Sequence, residues 1–412
     1  MPNFPIIDTH LHVWDQTRLK YSAFEGSELF GHPYHVEDYR RDCGKLDIEA
    51  MVFLECYADF WEGGGQYIEE IEFVESEQKR DPRIKAIIPM APVEWGKRVE
   101  PMLVKMRDEH PSVRGIRRIM EFDKDPRGLT LSPGFIEGVN LLEKFGWSFD
   151  INPNHTQMDF IREWVPRISS GVPMILDHCG KPGIKEGAIA QYREDVKDLA
   201  RYPNMWIKLS DLPPYAGPNW TGADLRPYIE ATLETFGPER TIYAGDYPIL
   251  LQATNMTQWV EILDRAFADL GLSESETRAI YRDNAVKFYR LDLQGAWVAG
   301  GPKKNWRWAE MTRLHWRGAK LKLKARRLHR ALSGSKLRLH WARLGGHDRG
   351  RPLNGPRAVG YATGSISLDW RCDTRRGLHH GDLGRCPVVT SRPPPTWIAL
   401  AAFLADQLQP DG

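Results

Sequence analysis

Residues 5–15 read "PIIDTHLHVWD", a short apolar run that closes on two histidines one residue apart. In a strand, residues i and i+2 face the same side, so Asp8, His10 and His12 are expected to project together. The same grammar recurs along the chain. "EAMVFLECY" (49–57), "IKAIIPMAP" (84–92), "VRGIRRIM" (113–120), "WSFDINP" (147–153), "VPMILDHCG" (172–180), "NMWIKLSDL" (204–212) and "TIYAGDYP" (241–248) complete a set of eight expected strands. Most end in or carry polar groups: Glu55, Arg117, Asp150 with Asn152, His178 and Asp246. An apolar run that repeatedly stops at an ionisable residue is expensive to bury unless those ends meet at one site.

Amphipathic stretches separate the runs. "GGQYIEEIEFVESEQKRDP" sets Ile68, Ile71 and Phe73–Val74 on one side before Pro82 ends it. "PGFIEGVNLLEKFG", "AIAQYREDVKDLARYP" and "MTQWVEILDRAFADLG" behave alike, and "SESETRAIYRDNAVKFYRL" opens with a capping box, Ser273 and Glu276. Strands alternating with helices mean parallel βαβ units. Eight of them predict an α/β fold, a (β/α)8 TIM-type barrel, whose catalytic groups sit at the C-terminal ends of the strands. The competing doubly wound sheet lacks its phosphate turn, because "EGGGQ" (62–66) has neither the G-x-G-x-x-G spacing nor its acidic partner.

Charge divides the chain in two. Residues 296–412 hold 22 Lys/Arg against 7 Asp/Glu, which leaves 34 against 48 in residues 1–295. We expect a barrel over 1–295 and a basic, low-order tail over 296–412 without catalytic function. The tail's Arg/Gly/Pro/His bias also fits translation of a GC-rich gene in a shifted frame. Basic residues interleaved with Trp raise binding to nucleic acid or an anionic surface as a reading from another class. Yet the tail has no repeat, zinc spacing or nucleic-acid signature, so nucleic acid is not an expected partner. Five cysteines without C-x-x-C spacing, no signal-like start and no bilayer-length apolar run predict a cytoplasmic setting with no membrane partner. A homo-oligomer is compatible with the sequence.

"IIDTHLHVWD", "LDHCGKP" and "YAGDYP", in that order, resemble signatures of the amidohydrolase-related (amidohydrolase 2) family, nearest its sugar-lactone and pyrone-dicarboxylate lactonases. "RGIRR" and the closing "NAVKFYRL" look like the same branch, and the resemblance runs from about Pro5 to Leu293. It implies a distorted barrel and hydrolysis at an activated carbonyl. Asp246 matches the acid that takes a proton from the attacking water, and His178 the strand-six histidine. His10 and His12 match the strand-one pair, and Arg117 lies where a substrate carboxylate or hydroxyl is bound. Tyr247 stands in place of the more usual tryptophan and joins the expected substrate contacts.

Bland readings compete at each position. Asp246 as a turn-capping Asp, His178 as a wall imidazole and Arg117–Arg118 as a solvated pair are ordinary alternatives. Cys179 reads as a small buried hydrophobe rather than a nucleophile, and Glu55 as either a ligand or half of an ion pair. His155 in "NPNHTQM" arrives just after strand five and is expected at the pocket mouth. His10, His12 and Asp246 form a candidate set for one divalent ion such as zinc; the resemblance equally allows a lactonase that polarises the carbonyl with cationic or imidazole side chains alone. The expected substrate is a lactone of a sugar acid or aromatic-catabolism acid; the rival enzyme is a metal-dependent decarboxylase on the same barrel.

Overall fold

The computed structural model describes residues 1–59 and 66–293. Its eight strands are β1 (Ile6–Leu11), β2 (Ile48–Leu54), β3 (Ile84–Ile88), β4 (Gly115–Arg117), β5 (Ser148–Ile151), β6 (Met174–Leu176), β7 (Met205–Leu209) and β8 (Thr241–Tyr243). All pair in parallel, β1 to β3 as one ladder and β4 to β8 as another, each strand beside its neighbour in sequence. Two seams close the ring. Ile87 N–H donates to Ser112 O at 2.9 Å and Arg114 N–H to Ile87 O at 3.1 Å, joining β3 to β4. His12 N–H donates to Tyr247 O at 2.7 Å and Tyr247 N–H to His10 O at 3.2 Å, joining the ends of β1 and β8. The result is the expected (β/α)8 barrel.

The strands are shorter than the apolar runs that announce them, and β4, β6 and β8 have three residues each. His178 and Asp246 therefore lie past the ladder, in turns. Alternation sorts the side chains. Ala50, Val52 and Leu54 of β2, Ala86 and Ile88 of β3 and Trp206 of β7 fill the interior with Phe288 and Tyr289, while Met51, Phe53 and Ile87 face the helices. The helix Asn284–Tyr289 closes this inner core, with Phe288 5.4 Å from Trp206 between ring centroids.

The helices begin and stop on local signals. Ser132 Oγ accepts from Phe135 N–H at the start of Pro133–Phe145, and Gly146 ends it in the left-handed conformation. The Ser273–Glu276 capping box forms, ahead of a helix that passes through a π-turn over Ala279–Asp283. No helix among the described residues is long and apolar enough to cross a membrane. The tail at 296–412 lies outside the described residues.

One glycine sets a helix spacing. A Cβ on Gly138 would stand 1.9 Å from Val93 O, backbone that cannot swing aside. Gly138→Ala must push the helix Pro133–Phe145 off the turn at Val93–Val99, and overpacking of this kind costs about 1–3 kcal/mol. We expect a lowered denaturant midpoint with an unchanged slope, checked by chemical unfolding.

Candidate active site

A β-bulge aims the first histidine pair. The register of β1 against β2 slips between Asp8 and Leu11, so three steps separate the inward Ile7 from His10 where regular alternation would use two. The expectation that Asp8 shares the histidine face is corrected by this bulge. Asp8 turns the other way, accepting from Tyr39 O–H at 3.0 Å, His10 N–H at 3.1 Å and Gly245 N–H at 2.7 Å. Burial pushes its carboxyl up to about 6 despite those three donors. A Cβ on Gly245 would meet Asp8 Oδ2 at 2.5 Å, so only glycine allows β1 to pin the turn that carries Asp246.

Just past β6, β7 and β8, His178 (φ 50°), Asp211 (φ 51°) and Asp246 (φ 57°) sit in the left-handed region, as do Cys179 and Lys181 beside the first of them. Such backbone costs on the order of 1–3 kcal/mol per residue, and here it brings the side chains of His178, Asp211 and Asp246 within 4.8 Å of one another. Asp246 Oδ1 lies 3.3 Å from His10 Nε2 and 3.3 Å from His12 Nε2, and its Oδ2 lies 3.8 Å from His178 Nε2. Burial would raise the Asp246 carboxyl, but the adjoining His178 and His12 outweigh it and hold the group well below the usual carboxylate range. Burial drives His178 down to about 4, so its ring is neutral at pH 7. Its Nδ1 faces Ser210 Oγ at 3.0 Å. Asp211 is pushed well up by burial and then by Asp246.

A buried ionic floor supports these groups. Arg117 donates from Nε to Glu55 Oε1 (2.8 Å), from Nη2 to Glu55 O (2.6 Å) and from Nη1 to His10 Nε2 (2.9 Å) and Asp177 Oδ2 (3.3 Å). Lys208 Nζ contacts Asp150 Oδ2 (2.8 Å) and Asp177 Oδ1 (2.9 Å) and stands 3.3 Å from His10 Nδ1. Tyr289, from the closing helix, donates to Asp150 Oδ2 at 2.7 Å. Burial lowers His10 far below its ordinary value, and the neighbouring Lys208 reinforces this. For Asp177, burial is overcome by Lys208 and Arg117, which keep it low.

The structure thus brings His10, His12, His178 and Asp246 together, with Arg117 directly beneath. Alternation turns one of the two adjacent arginines inward, and it is Arg117, the one the resemblance implies, while Arg118 turns to Glu94 and Asp123. His155 is half-buried, its ring edge beside Gly183. Tyr247 lies outside the cluster: its hydroxyl donates to Asp42 at 2.7 Å and its ring packs on Tyr39 and Tyr34. Cys179 is buried and its thiol raised to about 11 by burial, as expected of an inert position. Lys208, Asp177, Asp211 and the Lys181–Glu121 ion pair escaped sequence reading. The signal for Lys208 and Asp211 was present in "WIKLSDL", where each interrupts an otherwise apolar run.

The donor set suits a divalent cation. His12 Nδ1 donates to Leu54 O at 2.9 Å, so the ring, when uncharged, presents the lone pair of Nε2 to Asp246 Oδ1, an oxygen with no well-formed hydrogen bond. An imidazole lone pair and a carboxylate oxygen facing each other in a buried site are reconciled by a positive charge between them. His10 supplies a third ligand atom, for which Arg117 competes.

Known proteins resemble this chain in sequence and in fold. L-rhamnono-gamma-lactonase of Scheffersomyces stipitis is 25% identical over 343 residues, covering 71% of this chain and 100% of that protein. L-fucono-1,5-lactonase of Burkholderia multivorans is 28% identical over 191 residues, covering 43% of this chain and 63% of that one. In fold, a zinc-bound amidohydrolase from Burkholderia multivorans superposes with a TM-score of 0.62 at 22% identity, over 70% of this chain and all of its own. Residues 7–291 match the family described as amidohydrolase. That span runs from inside the first strand to beyond the closing helix, and the chain belongs to the amidohydrolase family.

Proposed function

We propose that this protein is a hydrolase that opens the ring of a lactone, with residues 1–295 carrying the activity. One observation carries the reading: a buried, ionised carboxylate, Asp246, touched by imidazoles from two different strand ends. Similarity to a sugar lactonase over that enzyme's entire length supports it.

In this reading a water molecule rests against Asp246, and the substrate carbonyl lies toward His178 and His12. Asp246 takes a proton from the water as its oxygen attacks the carbonyl carbon. With the Ser210 hydroxyl donating to His178 Nδ1 across their 3.0 Å contact, the ring proton is left on Nε2, directed at the developing oxyanion. Collapse of the tetrahedral intermediate breaks the bond to the ring oxygen. Asp246 returns its proton to that oxygen, and the product is a hydroxy acid. Arg117 and Lys208 act through His10, fixing its ring against Asp246, and are positioning residues. A divalent ion, zinc matching these nitrogen and oxygen donors, would be held by His10, His12 and Asp246 and supplies Lewis-acid polarisation of the carbonyl when bound. His155 lines the mouth.

Asp246→Asn keeps the shape and removes the base. We expect kcat to fall about 10³-fold with an unchanged circular-dichroism spectrum; turnover near wild type would remove Asp246 from the mechanism. Release of CO₂ in place of a hydroxy acid would assign the site to decarboxylation. Assay before and after chelation divides the polarising role: loss restored by zinc gives it to an ion, and retained activity gives it to the imidazoles.

Two further outcomes follow from the electrostatics. His178 must be neutral and Asp246 ionised, and both protonate only at about pH 4 or below. The acid limb of kcat/KM against pH therefore falls near pH 4 rather than near 6.5, the ordinary histidine value. Arg117→Lys keeps the charge but loses the planar fork that joins Glu55, Asp177 and His10. Turnover should drop about 10- to 100-fold with KM little changed, as steady-state kinetics will show.

A further inference from the structure

The cations of the cluster are already taken. Arg117 is held by Glu55 and Asp177, Lys208 by Asp150 and Asp177, and Lys181 by Glu121. Around the same space stand two more carboxyl groups, Asp246 and Asp211. A lactone bearing carboxylates or a sulfonate would enter without finding an unpaired cation in this cluster among the described residues, and its charge would face acids instead.

Asp211 points to what the site accepts. Its side chain is 1% exposed, and its ligand oxygen lies within 4.8 Å of those of His178 and Asp246. Neither oxygen takes a well-formed hydrogen bond from any described residue, with the Tyr215 hydroxyl, Asp246 and, farther off, the Glu121-paired Lys181 ammonium as its polar neighbours. A buried acceptor left open is costly, and left-handed backbone at φ 51° is a second cost at the same residue. Both are explained by a donor that arrives with the substrate. Nearby, Phe122 is 70% exposed, its ring 5.7 Å from Tyr57 and 5.9 Å from the Lys181 ammonium. That gives an apolar face next to polar groups, as a sugar ring presents in turn.

Resting on the lactonase reading above, we infer that the site takes an uncharged, polyhydroxylated lactone, and that Asp211 accepts one of its hydroxyl groups. Asp211 is then a residue that determines specificity rather than one that moves the reacting proton. The hydroxyl donates to a carboxyl oxygen of Asp211 and becomes its missing partner. An analogue lacking that hydroxyl leaves the acceptor bare and binds its transition state less well.

The full-length protein is assayed on neutral aldonolactones, on their mono-deoxy analogues, and on lactones carrying two carboxylates or a sulfonate. The best neutral lactone should exceed either anionic class by about 100-fold in kcat/KM. Asp211→Gly is the variant of choice because glycine tolerates left-handed backbone and carries no side-chain acceptor. It should lose about 10- to 100-fold on the parent lactone. One deoxy analogue should cost the wild type a similar factor, and the variant with that analogue should lose little more than either change alone. Preference for an anionic lactone would overturn the inference while leaving the lactonase reading intact. So would a variant that loses the same factor on the parent and on every deoxy analogue. If no lactone is opened, the lactonase reading fails, and binding of 1,5-anhydroalditols still decides the subsite. Saturation-transfer signals from the wild type that vanish in Asp211→Gly support it; their absence from the wild type overturns it.

Discussion

The ionic layer inside the barrel mouth is the constraint on which the rest depends. Arg117 and Lys208 are buried together with Glu55, Asp150 and Asp177, where any charge left alone would cost several kcal/mol. Each therefore has to be answered by another, and the answers come from β2, β4, β5, β6 and β7 at once. A strand displaced along its neighbour would strand a charge, so the layer fixes the relative heights of the strand ends. His10 rests on this layer through both ring nitrogens, and Asp246 rests on His10. Precision at the reacting centre is inherited from below.

Above the layer, the order of control reverses. The groups there are not set by regular pairing, because β6, β7 and β8 stop before His178, Asp211 and Asp246 begin. Left-handed backbone turns each of these back toward the axis, at a cost that the tightly packed barrel below absorbs. A bulge does the equivalent work in β1. The site thus combines a floor assembled by register with a rim assembled by local departures from it.

These two origins explain what the sequence discloses. The eight strands and their parallel order are legible because each apolar run is short and separated from the next by a helix-length amphipathic stretch. His10, His12, His178 and Asp246 are legible because they end such runs. The face of Asp8 is not, since a bulge inserts one residue and leaves no mark in the pattern of apolar and polar positions. Lys208 hides for a different reason: a lysine inside "WIKL" reads as a solvated edge residue until its two carboxylate partners, 58 and 31 positions away in the chain, are brought beside it. Tyr247 follows Asp246 directly, yet its ring packs on Tyr39 and Tyr34, away from the histidines. Spacing finds groups that share a strand end; it does not find which way a turn throws them.

The seam between β1 and β8 joins the two ends of the barrel's sequence. Thr9 Oγ1 donates to Tyr243 O across 234 positions, and Asp8 reaches Gly245 across 237. His10 and His12 therefore meet Asp246 only when the ring has shut. Contacts this distant are among the last to form as a chain folds. Until that seam closes, the chain possesses no catalytic centre. Recovery of turnover after dilution from denaturant would then time ring closure itself, separately from the earlier return of helical structure.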